Sequence, residues 1–354
     1  MKFTEWLKIK ENALLSEIDW SGDFEDVKKQ CVLPKDVVSY LNDVRKNASL
    51  PYGERKKFSA NNPFVHAKSS FFKKGEEEVD IDHFINQITQ PPKTVVNTNE
   101  KILKRGGPNE FVYKTGIPAF RGIAYDKDKK EFVYINTCPG AGGCVLVCYA
   151  RKGRYIQYPN SYDLMTRRLN LLLNDPNEYE NRLYKELKSK AEEHKALKGY
   201  KPKVILRWND SGDFFTKKYV KIAESVIKKL NENGYNVESY AYTKTPEIRP
   251  DKSVQTTVSL QPNKSIDSTD DKVSLIVPKD LFQGLDFLKL QDEDKLKDNI
   301  SNYFKIKRTE ILTYDEMKNM PEGDVLKWNV IVTPNDGDDA AFRKDVKRIL
   351  LTQH

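Results

Sequence analysis

The pattern of apolar and polar positions changes character near residue 100. Before it, apolar residues come in short bursts. Helices are predicted over 25–30 and 35–46, the second starting after Pro34, with turns at Pro51-Tyr52-Gly53 and Asn61-Asn62-Pro63. A charged stretch, KKGEEEVDID, follows, and Pro91-Pro92 reads as a boundary, so residues 1–100 form an N-terminal helical and irregular extension. Beyond it, β-rich runs alternate with helical periodicity. Strands are expected over 111–113, 123–125, 131–137, 204–208, 237–242, 256–260, 273–277 and 328–332. Helices are expected over 160–173, 178–197, 216–233 (stopped by Gly234), 292–304 and 338–351. Strands separated by helices imply a mainly parallel α/β sheet or barrel over residues 101–354, because parallel neighbours need a crossover. Chemistry in such folds gathers at the C-terminal ends of the strands. Three ends carry polar residues here: the cysteine loop after 131–137, Ser211-Gly212-Asp213 after 204–208, and Thr243-Lys244 after 237–242.

Composition narrows the class. Hydrophobic content of 38%, charged content of 32% and a mean hydropathy of −0.70 exclude a collagen or a disulfide scaffold. No apolar run is long enough for a spanning helix, and the amphipathic N-terminus, interrupted by acids, does not read as a secretory signal. Four cysteines without an export signal point to a reducing cytoplasm. The net charge of +8 sits in the middle third, residues 101–200, which holds three of the cysteines. That field suits an anionic substrate, a phosphate-bearing cofactor or nucleic acid, but on charge alone a solvated lysine-rich surface accounts for it more readily than nucleic-acid binding does. Arg151, Lys152 and Arg154 follow the cysteine loop and carry the same two readings, while Tyr155 and Tyr158 read as packing residues.

Cys138, Cys144 and Cys148 lie in TCPGAGGCVLVCYA, with five residues between the first pair and three between the second. Gly140, Gly142 and Gly143 loosen this loop, so three thiolates can wrap one ion or cluster. A structural zinc would want a fourth protein ligand. Cys31 is more than a hundred residues upstream and reads as core, and His66, His83, His194 and His354 stand at no ligand-like spacing. Three protein ligands suit a [4Fe–4S] cluster with one iron open to a small molecule.

Four segments carry a family resemblance: GIPAFRG at 116–122, TCPGAGGCVLVCYARKGRY at 137–155, LRWNDSGDF at 206–214 and YAYTKT at 240–245. Together they resemble the phage gene product 88 family, over roughly residues 98–265. That family is similar to an outlying branch of the radical S-adenosylmethionine (SAM) enzymes. The resemblance implies a partial (β/α)6 barrel-like core whose cysteine loop holds a [4Fe–4S] cluster. It further implies that the cluster cleaves SAM reductively to a 5′-deoxyadenosyl radical, which abstracts hydrogen from substrate. Cys138, Cys144 and Cys148 would ligate iron. Ser211, Gly212 and Asp213 would meet the methionyl ammonium, Lys244 its carboxylate, and Ser259 would add a hydroxyl. Tyr149 would pack against the cluster or the adenine. Bland readings stay open beside these: Asp213 as a cap of the helix starting near residue 216, and Lys244 as a surface lysine.

Two functions follow. One is an iron–sulfur enzyme in the cytoplasm of an infected bacterial host, fed by an electron donor such as a host flavodoxin, with an unidentified substrate that is anionic or a nucleic acid. The other is a non-enzymatic phage accessory protein whose zinc or iron–sulfur site is structural and whose basic middle third binds nucleic acid. Neither involves a membrane.

Overall fold

Where apolar residues recur at every second position the chain pleats, and where they recur at every third or fourth it coils. In the computed structural model, residues 24, 31–55, 62–99, 109–142, 148, 150, 155, 158–198, 202–260, 266, 271–277, 293–333 and 338–352 are described. The extension contributes β1 (Cys31–Val32), α1 (Pro34–Ser49) and α2 (Ile81–Thr89). Then come β2 (Glu110–Lys114), β3 (Arg121–Asp126), β4 (Glu131–Asn136), α3 (Pro159–Asn174) and α4 (Pro176–Lys198). They are followed by β5 (Lys203–Trp208), α5 (Lys217–Glu232), β6 (Asn236–Thr243), β7 (Gln255–Leu260) and β8 (Val273–Val277). The remainder is α6 (Glu293–Phe304), β9 (Ile311–Thr313), α7 (Tyr314–Asn319), β10 (Val330–Thr333), α8 (Asp338–Phe342) and β11 (Arg348–Thr352).

The expected α/β core of parallel strands is present. Eight strands form one sheet in the order β2-β5-β6-β7-β8-β11-β10-β9, and each pairing is parallel. Alternation sorts its side chains. Val204, Leu206 and Trp208 of β5 face outward with Leu169 of α3, Leu183 of α4 and Tyr219 of α5. The intervening Ile205 faces the other way, sharing a core with Val112 of β2, Tyr240 of β6, Ile331 of β10 and Ile349 of β11. Leu312 of β9 packs against that same cluster. Strands at opposite ends of the order thus converge on one apolar core, so the sheet curls around it. At the N-terminal end of the strands, Lys203 bridges Glu110 and Glu238 and lies 4.5 Å from the Phe342 ring centre. Gln255 and Lys272 both donate to the carbonyls of Ala341 and Arg343, fastening the C-terminal end of α8 beneath the sheet.

The structure departs from the sequence pattern in several respects. The strand before the cysteine loop, β4, is not in the parallel sheet; it pairs antiparallel with β3 and β1. The span 338–351 is not one helix: α8 ends at Phe342 and the chain returns as β11 between β8 and β10. Cys31 is exposed, because β1 is a two-residue edge strand; its thiol donates to Glu131 at 3.0 Å. Tyr158 is exposed as well, standing just before α3.

The extension covers the small sheet. Val37 and Leu41 of α1, Phe84 and Ile88 of α2, and Phe71 bury Ile123 and Phe132. Asp163 of α3 fixes the intervening loop by accepting from the Ser69 hydroxyl, the Ser70 hydroxyl and the Ser70 amide. β2 is an edge strand, and Asn97 covers part of it by exchanging both backbone hydrogen bonds with Lys114.

Candidate cofactor site at the strand ends

β5 ends in Trp208 and turns sharply. Asn209 takes a left-handed φ of +52° and Gly212 one of +80°. The turn is anchored beneath by aromatic rings: Trp208 and Phe214 lie 6.1 Å apart between centres, and Phe214 and Tyr219 5.2 Å. Tyr219 donates to the Asn209 amide oxygen at 2.9 Å, and Thr216 caps α5 by accepting the Tyr219 amide at 3.1 Å. The helix cap is therefore Thr216, not Asp213. Gly212 has a second constraint, since a Cβ there would meet the Ile117 side chain.

Asp213 is buried and stitches neighbouring strand ends together. One carboxylate oxygen accepts the Phe214 amide at 2.7 Å; the other accepts the Lys244 amide at 2.8 Å and the Thr245 hydroxyl at 3.4 Å. Burial pushes its carboxyl up to about 6, against these donors and the Lys244 cation, which favour the charged form. The Thr243 side chain is a further donor to the same carboxylate. Ser211 is also buried, and its hydroxyl makes no hydrogen bond to the described protein. Lys244 does not point outward as a simple surface lysine. Its ammonium reaches the end of β7, donating to the carbonyls of Ser259 at 3.2 Å and Leu260 at 3.3 Å. The Ser259 hydroxyl stands 3.1 Å from that of Ser274 on β8.

The first part of the cysteine loop docks onto this rim even though its strand belongs to the other sheet. The Asp213 amide donates to the Thr137 carbonyl at 2.8 Å, and the Gly140 amide to the Thr245 hydroxyl at 3.3 Å. A Cβ on Gly140 would overlap the Lys244 carbonyl, so only glycine permits this approach. The Cys138 sulfur accepts the backbone N–H of Phe120 at 3.2 Å, and Phe120 itself holds a left-handed φ of +67°. Such a donor stabilises a thiolate, as it does sulfur ligands of clusters. Cys138 and Cys148 are both half-buried, and no disulfide joins the described cysteines. Cys144 and Tyr149 lie outside the described residues, as do Arg151, Lys152 and Arg154. Among the described residues no three His, Cys, Asp or Glu side chains gather as a metal site. The rim therefore brings together Cys138, Ser211, Gly212, Asp213 and Lys244, with Ser259 one strand further on.

Two residues here were not singled out from sequence. Asp210, buried two residues after β5, accepts from the Lys114 ammonium at the end of β2 and from the Tyr155 hydroxyl at 2.8 Å. Gly116 lies so close that a Cβ would strike the Asp210 carboxylate. Tyr155 is thus a hydrogen-bonding residue rather than simple packing. The signals were available: Asp210 sits inside WNDSGDF, and Lys114 closes the alternating strand EFVYK.

No curated protein and no solved structure matches the chain. The family model for gene product 88 matches residues 93–280, more than half of the chain, and spans the hairpin, the cysteine loop and the ends of β2, β5, β6 and β7 that build the rim. The protein belongs to the gene product 88 family.

Proposed function

We propose that the protein is a radical SAM-like iron–sulfur enzyme whose reaction site is the rim formed by the ends of β5 and β6 and the cysteine loop. The observation that carries this reading is the docking of the Cys138 turn onto those strand ends, through Thr137 to Asp213 and Gly140 to Thr245. Ligands of parallel α/β sheets collect at that end of the strands.

The donor set fits a cluster. Thiols are soft ligands suited to iron–sulfur centres, Cys138 already receives an amide N–H, and Gly140 and Gly142 let the backbone turn closely. Cys138, Cys144 and Cys148 would hold three irons. When bound, the cluster would supply one electron from a flavodoxin-like donor to SAM, yielding methionine and a 5′-deoxyadenosyl radical that takes a hydrogen atom from substrate. The chain's own residues position and balance charge. Asp213 keeps the β5 and β6 ends in register with the loop and lends negative charge beside an ammonium. Lys244 sets positive charge between the ends of β6 and β7, where a carboxylate would be received.

Anaerobic purification with iron and sulfide analysis tests the reading. The expected product is a brown protein with about four irons, bleached separately by Cys138→Ala, Cys144→Ala and Cys148→Ala. Dithionite and SAM should then release 5′-deoxyadenosine. A colourless protein carrying one zinc and binding nucleic acid in a salt-sensitive way would replace this reading with the accessory-protein one.

A further inference from the structure

The end of the sheet opposite the rim carries a different surface. There the chain enters β9, β10 and β11, three neighbouring strands. Val330 of β10 stands level with Ile311 of β9 and Arg348 of β11, so residues 305–310, 326–329 and 344–347 converge at one end of the sheet. The segment before β10 is a braced turn. The Asn329 amide donates to the Leu326 carbonyl and the Leu326 amide to the Asn329 side-chain oxygen, both at 2.8 Å. The buried Asn329 side chain also donates to the Glu310 carbonyl at 3.4 Å, and Arg348 donates to the Lys327 carbonyl at 2.6 Å. Held this way, Leu326 and Trp328 each leave 47% of their surface in solvent, whereas Trp208 is fully buried. Single exposed apolar residues are common. Two on one braced turn, one of them an indole, form a platform whose ordering is complete before any partner arrives.

The cations around this platform are reachable and uncompensated. Lys305, Lys307, Lys327, Lys344 and Lys347 are exposed, and none makes an ion pair among the described residues. The nearby acids are taken by arginines: Asp294 by Arg308 and Asp345 by Arg343, with Glu322 and Asp324 also acting on Arg343. That leaves Glu310 against five lysines on the three strand entries. Neighbouring strands lie ~4.8 Å apart, so these ammonium groups are strung over about 10 Å beside the Trp328 turn. A row of cations next to an exposed indole matches a chain of phosphates that carries flat rings. Single-stranded nucleic acid has that chemistry: bases stack on the aromatic face and phosphates meet the lysines. A duplex hides its base faces, and a lipid surface offers phosphates without rings to stack. An electron donor has to dock near the cysteine loop, at the other end of the strands.

We infer that the turn at 326–328, with Lys307, Lys327 and Lys347, binds single-stranded nucleic acid at the N-terminal end of β9, β10 and β11. The site lies beyond the segment that the family model matches and does not rest on the reaction proposed for the rim.

The full chain is titrated against a fluorescein-labelled single-stranded oligothymidylate, and binding is read by fluorescence anisotropy at several sodium chloride concentrations. Salt-sensitive binding is expected, with weaker binding of the same strand annealed to its complement and none of phosphatidylserine vesicles. Trp328→Ala should weaken strand binding about tenfold, while Trp328→Phe keeps a ring to stack and should bind nearly as the wild type does. Lys327→Gln and Lys347→Gln should each lower the slope of log affinity against log salt by about 0.7. Lys228→Gln, on α5, should bind like the wild type. Trp328, Lys327 and Lys347 are exposed, so their variants should melt with the wild type. Absence of strand binding overturns the inference, and so does a duplex or a vesicle bound as tightly as the strand. Binding that Trp328→Ala leaves unchanged also overturns it, by placing nucleic acid on another surface. Cys138→Ala should lose iron yet keep strand binding, so failure of the cluster reading and failure of this one give different results.

Discussion

At the residue scale, the rim depends on backbone approaches that a single methyl group would block. Gly140 is needed for space rather than for an unusual φ; its missing side chain lets the Cys138 turn rest on the Lys244 carbonyl. Gly140→Ala should therefore push the loop off the strand ends, destabilising the chain by about 1–3 kcal/mol and lowering bound iron in the same preparation. Urea unfolding and iron analysis check the two effects, and an alanine variant with wild-type values of both would remove the docking argument. Asp213 offers a pH test. An unfolded aspartate titrates near ~3.9, while burial lifts this one to about 6. Between those values the folded chain holds a proton that the unfolded chain has lost. The contribution of Asp213 to stability is thus fully present below about pH 4 and is lost as pH rises through 6. In Asp213→Asn that decline should vanish from the urea midpoint measured against pH, whereas parallel profiles for the two proteins would contradict it.

At the element scale, the sequence was legible where periodicity ran long and a local stop signal closed it. The stretch 216–233, ended by Gly234 at a φ of +78°, appears as α5, and VILRW appears as β5 with Trp208 on the helix layer and Arg207 on the inner face. What could not be read was partnership. EFVYINT is a sound strand by composition, but nothing local says whether its neighbours run parallel or antiparallel, so the pattern alone counts β4 with the parallel strands although it pairs antiparallel with β3 and β1. The chain end shows the reverse failure: the spacing over 338–351 suits a helix, yet RILL is filled on both faces, as a central parallel strand must be. The site divided the same way. The polar strand ends and the glycine-bearing loop stood out as motifs, while the Lys114–Asp210 pair needed the register between β2 and β5 to become visible. Because β11 is central, Leu350 is completely buried, packed among Val273, Leu275 and Val332. Leu350→Ala should cost about 2–5 kcal/mol by chemical denaturation, the range for a core cavity, and a cost below 1 kcal/mol would argue for a frayed terminal helix instead.

At the scale of the whole molecule, the matched family segment and the folding unit are not the same length. The gene product 88 match ends at residue 280, just after β8, while the sheet continues through β11, β10 and β9. Those later strands are not an independent appendage. β11 pairs with β8 over five positions, and the outer-face core joins Val258 and Val273 to Ile311, Val330 and Leu350. The inner face depends on them too, since Val112, Ile205 and Tyr240 pack with Ile331 and Ile349. A chain ending at residue 280 would leave β8 as a bare parallel edge and expose apolar surface on both faces of the sheet. Exposed flat edges of that kind template aggregation. The truncated chain should therefore fail to give a cooperative thermal transition and should elute from a sizing column as aggregate, although it retains every rim residue named above. A soluble fragment melting cooperatively near the wild-type temperature would show instead that the matched segment is the folding unit and that the last three strands are dispensable to the rim.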